Sequence, residues 1–287
     1  MANKRGQAID KTHLSIDLAE ERGIIHRDYL AHCLRWSHVA KYLQKSGRYS
    51  NSTILDIGCG KELPLAKLLY SNKLIPKRYI GVDVNKLDGW DEKFNFGKME
   101  HVMFIHGKTD VCDLDVPDQP DVITCFEVLE HVEPKHAIKI IDTIKAMLTN
   151  DGAAFVSTPC FNGKAASNHV NEMRFNALKN VFVDRGLYIE NVYGTFASQR
   201  EIEPAMMDND PDFYEAYTLL KDYFCSNVLS NIFAPIYPRQ SRNALWVLRK
   251  EEPDSCQPFD INDKTPWDKI RTPWSSSEHW KDLNTNV

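Results

Sequence analysis

The spacing of apolar positions changes period along the chain. Over residues 28–45, Leu30, Cys33, Trp36, Ala40 and Leu43 recur at three- and four-residue intervals, with Arg35, His38, Lys41 and Lys45 among the other positions. That period predicts an amphipathic helix with a partly basic outer side. After Gly47, short apolar runs alternate with amphipathic stretches. Residues 53–57, 78–83, 102–106, 122–126 and 153–157 each suit a buried strand, and 61–70, 134–148 and 172–185 suit the helices between them. Strand and helix in alternation predict an α/β fold with a parallel, doubly wound, Rossmann-like sheet. Segments 188–197 and 244–250 supply two late strands and make the sheet seven-stranded.

Residues 201–242, between those late strands, are too many for a plain connection, so a helix is predicted over 211–228. This insert carries Phe213, Tyr214, Tyr217, Tyr223, Phe224, Phe233 and Tyr237. Such a density of aromatics builds a small satellite core or lines a pocket, and general burial tendencies favour the core. The expected organisation is an N-terminal helical lid at 1–50 and a main domain at 51–250 with a helical cap insert at 202–242. A Trp- and Pro-rich tail at 251–287 follows, with Thr265-Pro266-Trp267 echoed at Thr272-Pro273-Trp274. The tail's tryptophans suit docking on the chain's own domain or on a partner.

With 287 residues, 43% hydrophobic and 26% charged, the chain is long enough for a real core and unlike a disordered or collagenous one. No apolar stretch approaches the roughly 18 residues of a membrane span. The first residues lead into charged sequence, so neither a secretory signal nor a membrane association is expected, and the expected location is cytoplasmic. Seven widely spaced cysteines without a Cys-x-x-Cys pair indicate reduced thiols, not a zinc ribbon or a disulfide framework. The net charge is −5, but residues 1–50 hold nine Lys/Arg against five Asp/Glu, and residues 251–287 hold four against eight. The overall balance gives no general attraction to nucleic acid, although a basic face near the N-terminus would suffice for one.

The strongest local signal is Ile54-Leu55-Asp56-Ile57-Gly58-Cys59-Gly60, an apolar strand running into a glycine turn before a helical pattern. Glycines there admit a ligand to the backbone and leave the helix N-terminus open to a negative group. A phosphate loop would need Gly-Lys-Ser/Thr, and a dinucleotide fingerprint would need glycine where Leu63 stands. An acid inside the strand, Asp56, suits a ligand that carries an ammonium as well as a carboxylate.

Over roughly residues 50–250 these features resemble class I S-adenosylmethionine-dependent methyltransferases. Leu55 to Gly60 is similar to that family's first motif, implying cofactor contacts from Asp56, Gly58, Cys59 and Gly60. Ile80-Gly81-Val82-Asp83-Val84-Asn85 follows at the expected distance, implying that Asp83 accepts both ribose hydroxyls. Asp110 and Val111 resemble the pair bordering adenine, and Phe126 and Glu127 sit where the fourth strand opens onto the methionine part of the cofactor. One departure is Glu62, with Pro64 close behind, where many members have a third glycine; it implies a tighter or differently angled loop.

Phe126-Glu127-Val128-Leu129-Glu130-His131-Val132 follows. If helical from Glu127, it puts Glu127, Glu130 and His131 at i, i+3 and i+4 on one face, able to hold a hard divalent cation or to supply a general base. His169, after the fifth strand, lies at the same edge. These four resemble the Glu, Glu, His, His metal site of small-RNA 3′-terminal ribose methyltransferases, and part of the set resembles quinone-pathway O-methyltransferases. The resemblance implies a magnesium or manganese site at Glu127, Glu130, His131 and His169. The same Glu-His pattern also recurs in family members that use no metal. Glu130, His131 and His169 are the candidate catalytic residues, with Arg27 and Arg35 as candidates for the cofactor carboxylate. Cys125-Phe126-Glu127-Val128 lacks the Pro-Pro-Tyr/Phe of base amino-methyltransferases, and Pro159-Cys160 lies after the wrong strand for a cytosine-carbon nucleophile.

The resulting reading is a methyltransferase acting on an oxygen or nitrogen of a small or nucleotide-like acceptor. Two alternatives stay open: a DNA or RNA methyltransferase using the metal site, and a non-catalytic cofactor-binding module that regulates a partner.

Overall fold

The computed structural model describes residues 27–60, 63–84, 102–106 and 110–252. Its strands are β1 (Thr53–Ile57), β2 (Arg78–Asp83), β3 (Val102–His106), β4 (Val122–Phe126), β5 (Ala153–Pro159), β6 (Tyr188–Phe196) and β7 (Asn243–Arg249). They form one seven-stranded sheet in the order β3-β2-β1-β4-β5-β7-β6. The order reverses at β1 and β4, and in open α/β sheets a ligand crevice forms at the carboxyl ends of strands at such a point. One expectation is corrected here: β1 to β5 are parallel, but β7 runs antiparallel to both β5 and β6. A two-residue alternation fixes which side chains share a face and is blind to strand direction.

That alternation divides the core. Leu55, Ile57, Ile123, Cys125, Val156 and Trp246 face one side, beneath α3 (Pro134–Met147) and α4 (Phe175–Asp184). Ile54, Val122, Phe155, Leu245 and Val247 face the other, beneath α1 (Arg27–Ser46) and α2 (Pro64–Ser71). Within the predicted lid, α1 buries Val39 and Leu43 completely and packs against β6, so it is a layer of the domain itself. Each such side chain contributes about 1.5–3 kcal/mol on burial.

Two helices begin later than their pattern suggests. Proline favours the first helical position, and α2 starts at Pro64 after left-handed Leu63, residues 61 and 62 lying outside those described. The chain before α4 is held extended: Met173 bridges Cys160, and the N–H groups of Val170 and Asn171 donate to the Glu130 carbonyl.

The predicted cap helix over 211–228 is instead part of three helices, α5 (Gln199–Asn209), α6 (Pro211–Leu220) and α7 (Ser226–Phe233). The break falls at 221–225, where the N–H groups of Asp222 and Tyr223 reach back only three residues and tighten the turn. The cap aromatics build a satellite core: Tyr217 and Tyr237 are buried, and Phe213 meets Phe233 edge-on at 5.0 Å. Tyr223 and Phe224 lie in the tight turn and are exposed. Among the described residues no helix is long and apolar enough to cross a membrane. The Trp-rich tail from residue 253 lies outside the described residues.

Candidate active site

The turn after β1 closes onto the end of β2. The N–H groups of Gly58 and Cys59 donate to the Val82 carbonyl at 2.8 and 3.2 Å, and that of Gly60 donates to an Asp83 carboxylate oxygen at 3.0 Å. Gly58 needs to be glycine twice over: φ is +71°, and a Cβ would stand 2.3 Å from Cγ2 of Val128. The turn therefore nests against the residues that follow β4. Cys59 turns its side chain into the core under α1 and α2, so it offers a ligand its backbone alone.

Asp56 does not reach this turn. It faces α1 and α2, buried between Thr124 Oγ1, which donates at 2.6 Å, and the Tyr79 hydroxyl, which also donates to it. Burial pushes its carboxyl up to about 6; the two hydrogen bonds resist this and the nearby Asp83 charge adds to it. Because the folded value lies above that of an unfolded aspartate, about 4, the folded chain binds the extra proton, and stability should fall as pH rises from about 4 to about 6. Asp56→Asn is expected to flatten that decline and to raise stability at pH 7 by roughly 2 kcal/mol. Thermal melts across this range check it, and an unchanged slope would contradict the buried charge. A simultaneous loss of S-adenosylhomocysteine affinity would assign the charge to the ligand.

Beyond β3, Asp110 caps a 3-10 turn (Val111–Asp113) by accepting the Cys112 N–H at 2.9 Å. His136 and Lys139 lie 3.5 and 3.8 Å from its carboxylate. Val111 is buried in the core beside α3, so of the pair Asp110 is the one that faces outward.

After β4 the structure departs from the predicted helix. Glu127 has φ +57°, a left-handed conformation costing about 1–3 kcal/mol in a residue with a side chain. A 3-10 turn (Leu129–His131) comes next. The two glutamates are consequently separated. Neighbouring residues of a strand point to opposite faces, so Ser157 and Thr158 of β5 address different sides. The Ser157 hydroxyl donates to Glu127 at 2.8 Å, and the Thr158 hydroxyl donates to Glu130 at 3.0 Å.

On the α1 side, Glu127 also accepts from Arg35 at 2.8 Å and from the Asn243 amide at 2.9 and 2.8 Å. Burial works against its charge, but the Arg35 guanidinium and these hydrogen bonds hold the carboxyl below its ordinary range. Arg35 is 2% exposed and donates to Nδ1 of His32 at 2.6 Å. Burial and that guanidinium push His32 down to about 3, so it is neutral. Arg35 is thus already paired, which leaves a cofactor carboxylate to other groups. The Arg27 side chain lies outside the described residues.

On the opposite face, Glu130, His131 and His169 bring one potential ligand atom each to within 4.8 Å of one another. Glu127 is not part of this group. The His131 and His169 rings meet edge-on at 4.9 Å, and Nε2 of His131 is 3.7 Å from Glu130. Asn168 presents its carbonyl to Nδ1 of His131 at 3.2 Å, and Glu172 its carboxylate to Nδ1 of His169 at 2.5 Å. Each imidazole thereby has its Nδ1 engaged by an oxygen, the arrangement that outer carboxylates and carbonyls give to metal-binding histidines. Glu130 is 1% exposed, and burial together with the Glu127 charge drives its carboxyl well above the ordinary range. A buried carboxylate in that condition is short of positive charge, and one carboxylate with two imidazoles is a donor set able to hold a divalent metal cation.

The structure thus places Asp83, Asp110, Glu130, His131 and His169 at or just beyond the carboxyl ends of β2, β3, β4 and β5. Sequence reasoning missed Asn243, Ser157 and Glu172. The signals were a polar residue opening the apolar run of β7 and an acid three residues after His169.

A family profile described as "Methyltransferase domain" matches residues 27–192. The ubiquinone biosynthesis O-methyltransferase, mitochondrial, of Schizosaccharomyces pombe is 31% identical over 108 residues, which are 37% of this chain and 38% of that protein. The matched part is thus well under half the length of that relative. Among solved structures, magnesium protoporphyrin IX methyltransferase from Synechocystis PCC 6803 with bound SAH superposes with a TM-score of 0.53 at 13% identity, over 86% of this chain and 94% of that one. The 1,6-didemethyltoxoflavin-N1-methyltransferase of Burkholderia thailandensis, with 1,6-didemethyltoxoflavin and S-adenosylhomocysteine bound, gives a TM-score of 0.50 at 14% identity, over 88% of this chain and 92% of that one. At these identities the two structures share the fold with this chain.

Proposed function

The chain belongs to the methyltransferase-domain family, and on that premise we propose that it transfers a methyl group from S-adenosylmethionine to a hydroxyl oxygen of a small acceptor. The cofactor's ribose lies at Asp83, its adenine beside Asp110, and its methionine end between the glycine turn and Phe126 and Glu127. The observation that carries the choice of oxygen is the convergence of Glu130, His131 and His169 just beyond β4. A magnesium or manganese ion held there would lower the pKa of an acceptor hydroxyl. The protein's own part is positional: Glu172 and Asn168 fix the two imidazoles, and the loop that carries His169 is tied to Glu130 by the N–H groups of Val170 and Asn171. Displacement at a sulfonium needs alignment and exclusion of water more than covalent help. The O-methylation in the name of the yeast relative supports the same choice.

Calorimetric titration of the protein with S-adenosylhomocysteine, with and without magnesium or manganese, tests this. Cofactor-product binding is expected at micromolar concentration, with a metal heat that His169→Ala abolishes. Absence of product binding would end the methyltransferase reading for this chain. Product binding with no metal heat would remove the cation and leave His131 as the base.

A further inference from the structure

Three side chains on the α1 face are linked in a row at the carboxyl end of β4. One terminal nitrogen of Arg35 donates to Oε1 of Glu127 at 2.8 Å, and the other donates to Nδ1 of His32 at 2.6 Å. A guanidinium carries donors only, so Nδ1 of His32 is the accepting nitrogen and the ring proton stands on Nε2. His32 is half-buried, and its Nε2–H has no hydrogen-bond partner among the described residues. The ring is held from two sides, by Arg35 and by Trp36, which stacks on it with centroids 5.2 Å apart and planes 21° from parallel. His32 is therefore a fixed donor with its proton unused.

At the other end of the row Glu127 keeps an open acceptor. Its Oε1 takes bonds from Arg35, Ser157 and Asn243, whereas Oε2 takes one, from Asn243. A carboxylate oxygen has about two lone pairs, so Oε2 retains one, and the side chain keeps 27% exposure. The glycine turn after β1 lies against Val128, the next residue, which puts Glu127 beside that turn. Because both are bonded to one guanidinium, the His32 ring and the Glu127 carboxylate lie on the order of 5–8 Å apart, a gap that an amino-acid head with a hydrogen bond of about 2.9 Å at each end can span.

An N–H suits an anion and a charged carboxylate suits a cation, so a ligand that carries both a carboxylate and an ammonium satisfies the pair. The residues expected from sequence to meet such a head are engaged elsewhere: Asp56 by Thr124 and Tyr79, and Arg35 by Glu127. We propose that His32 and Glu127 together hold the amino-acid head of the cofactor: the His32 Nε2–H donates to its carboxylate, Oε2 of Glu127 accepts from its ammonium, and Arg35 is the positioning residue between them. Helix α1 is then a wall of the cofactor site. The proposal rests on the methyltransferase reading above, and the test separates the two.

The protein is titrated by calorimetry with three probes that differ at this end: S-adenosylhomocysteine, its decarboxylated form, which keeps the amine, and 5′-methylthioadenosine, which lacks the whole head. Each shortened probe is expected to bind the unaltered protein about ten-fold or more weakly than S-adenosylhomocysteine. His32→Phe keeps a ring to stack on Trp36 and removes the donor. It is expected to weaken S-adenosylhomocysteine about ten-fold and to leave both shortened probes unchanged, and His32→Gln, which returns an N–H near the place of Nε2, should recover part of that loss. Glu127→Gln is expected to weaken S-adenosylhomocysteine and the decarboxylated probe alike and to spare 5′-methylthioadenosine. Indifference of S-adenosylhomocysteine to His32→Phe, or an equal loss for the decarboxylated probe, would overturn the proposal. Melts without ligand report the fold of each variant, and should His32→Phe lose stability, the recovery in His32→Gln decides the point. Failure of S-adenosylhomocysteine to bind the unaltered protein would instead overturn the methyltransferase reading.

Discussion

Replacing Asp83 with alanine is expected to weaken S-adenosylhomocysteine binding by about 10²-fold or more, without a comparable loss of fold. Asp83 ends β2, buried at the crevice, and its carboxylate accepts the Gly60 N–H at 3.0 Å. A hydrogen bond to a charged group is worth about 1.5–3 kcal/mol, and two ribose hydroxyls resting on the same carboxylate give about 10²-fold even at the lower figure. Loss of the Gly60 contact adds to this, because the glycine turn then has one fewer tie to β2. Asp83→Asn keeps an acceptor for Gly60 while removing the charge, so its loss should be smaller. Calorimetry on the three proteins, with melts in the absence of ligand, separates ribose binding from loop support. Affinity in Asp83→Ala equal to that of the unaltered chain would remove the ribose assignment.

The place of Asp83 at the end of β2 was legible because it needs only local sequence: an apolar run, an acid at its end and a glycine turn about 25 residues earlier. Strands β1 to β4 were legible for the same reason, each being a short apolar run bounded by polar or turn residues. Strand direction was not, and β7 came out antiparallel although its pattern is that of any buried strand. Nor was the fate of Glu127. The spacing of Glu127, Glu130 and His131 matches a helical face, yet the chain leaves β4 through a left-handed residue, and adjacent hydroxyls of β5 draw the two glutamates to opposite sides. The partners that decide this lie 92 and 116 residues away, in Arg35 and Asn243. Nothing within a window of sequence ties them together. The one local hint is an arginine placed next to Leu34 and Trp36 on a helix whose other buried positions, His38 apart, are apolar.

Arg35 is where the second large effect is expected. Arg35→Ala should destabilise the protein by about 3 kcal/mol at pH 7, because a buried ion pair that loses one partner leaves the other's charge uncompensated. The lower end of the usual range applies, since the Glu127 side chain keeps 27% exposure and retains its bonds from Ser157 and Asn243. For a domain of this size the melting temperature should fall by about 6–12 °C. Glu127→Gln in the same background should recover part of that loss, and the cycle of single and double variants gives the coupling between the two groups. The pH dependence has a definite sign. In the unaltered chain Glu127 is held below its ordinary range, so its stabilisation is present above the unfolded value, about 4, and is lost as pH falls through the lower folded value. Without Arg35, burial dominates and the carboxyl rises, so the variant gains relative stability on acidification. The difference in melting temperature should therefore narrow between pH 7 and about pH 4. A deficit that stays constant over that range would mean that Arg35 supports the fold through packing of its side chain, and not through the charge of Glu127.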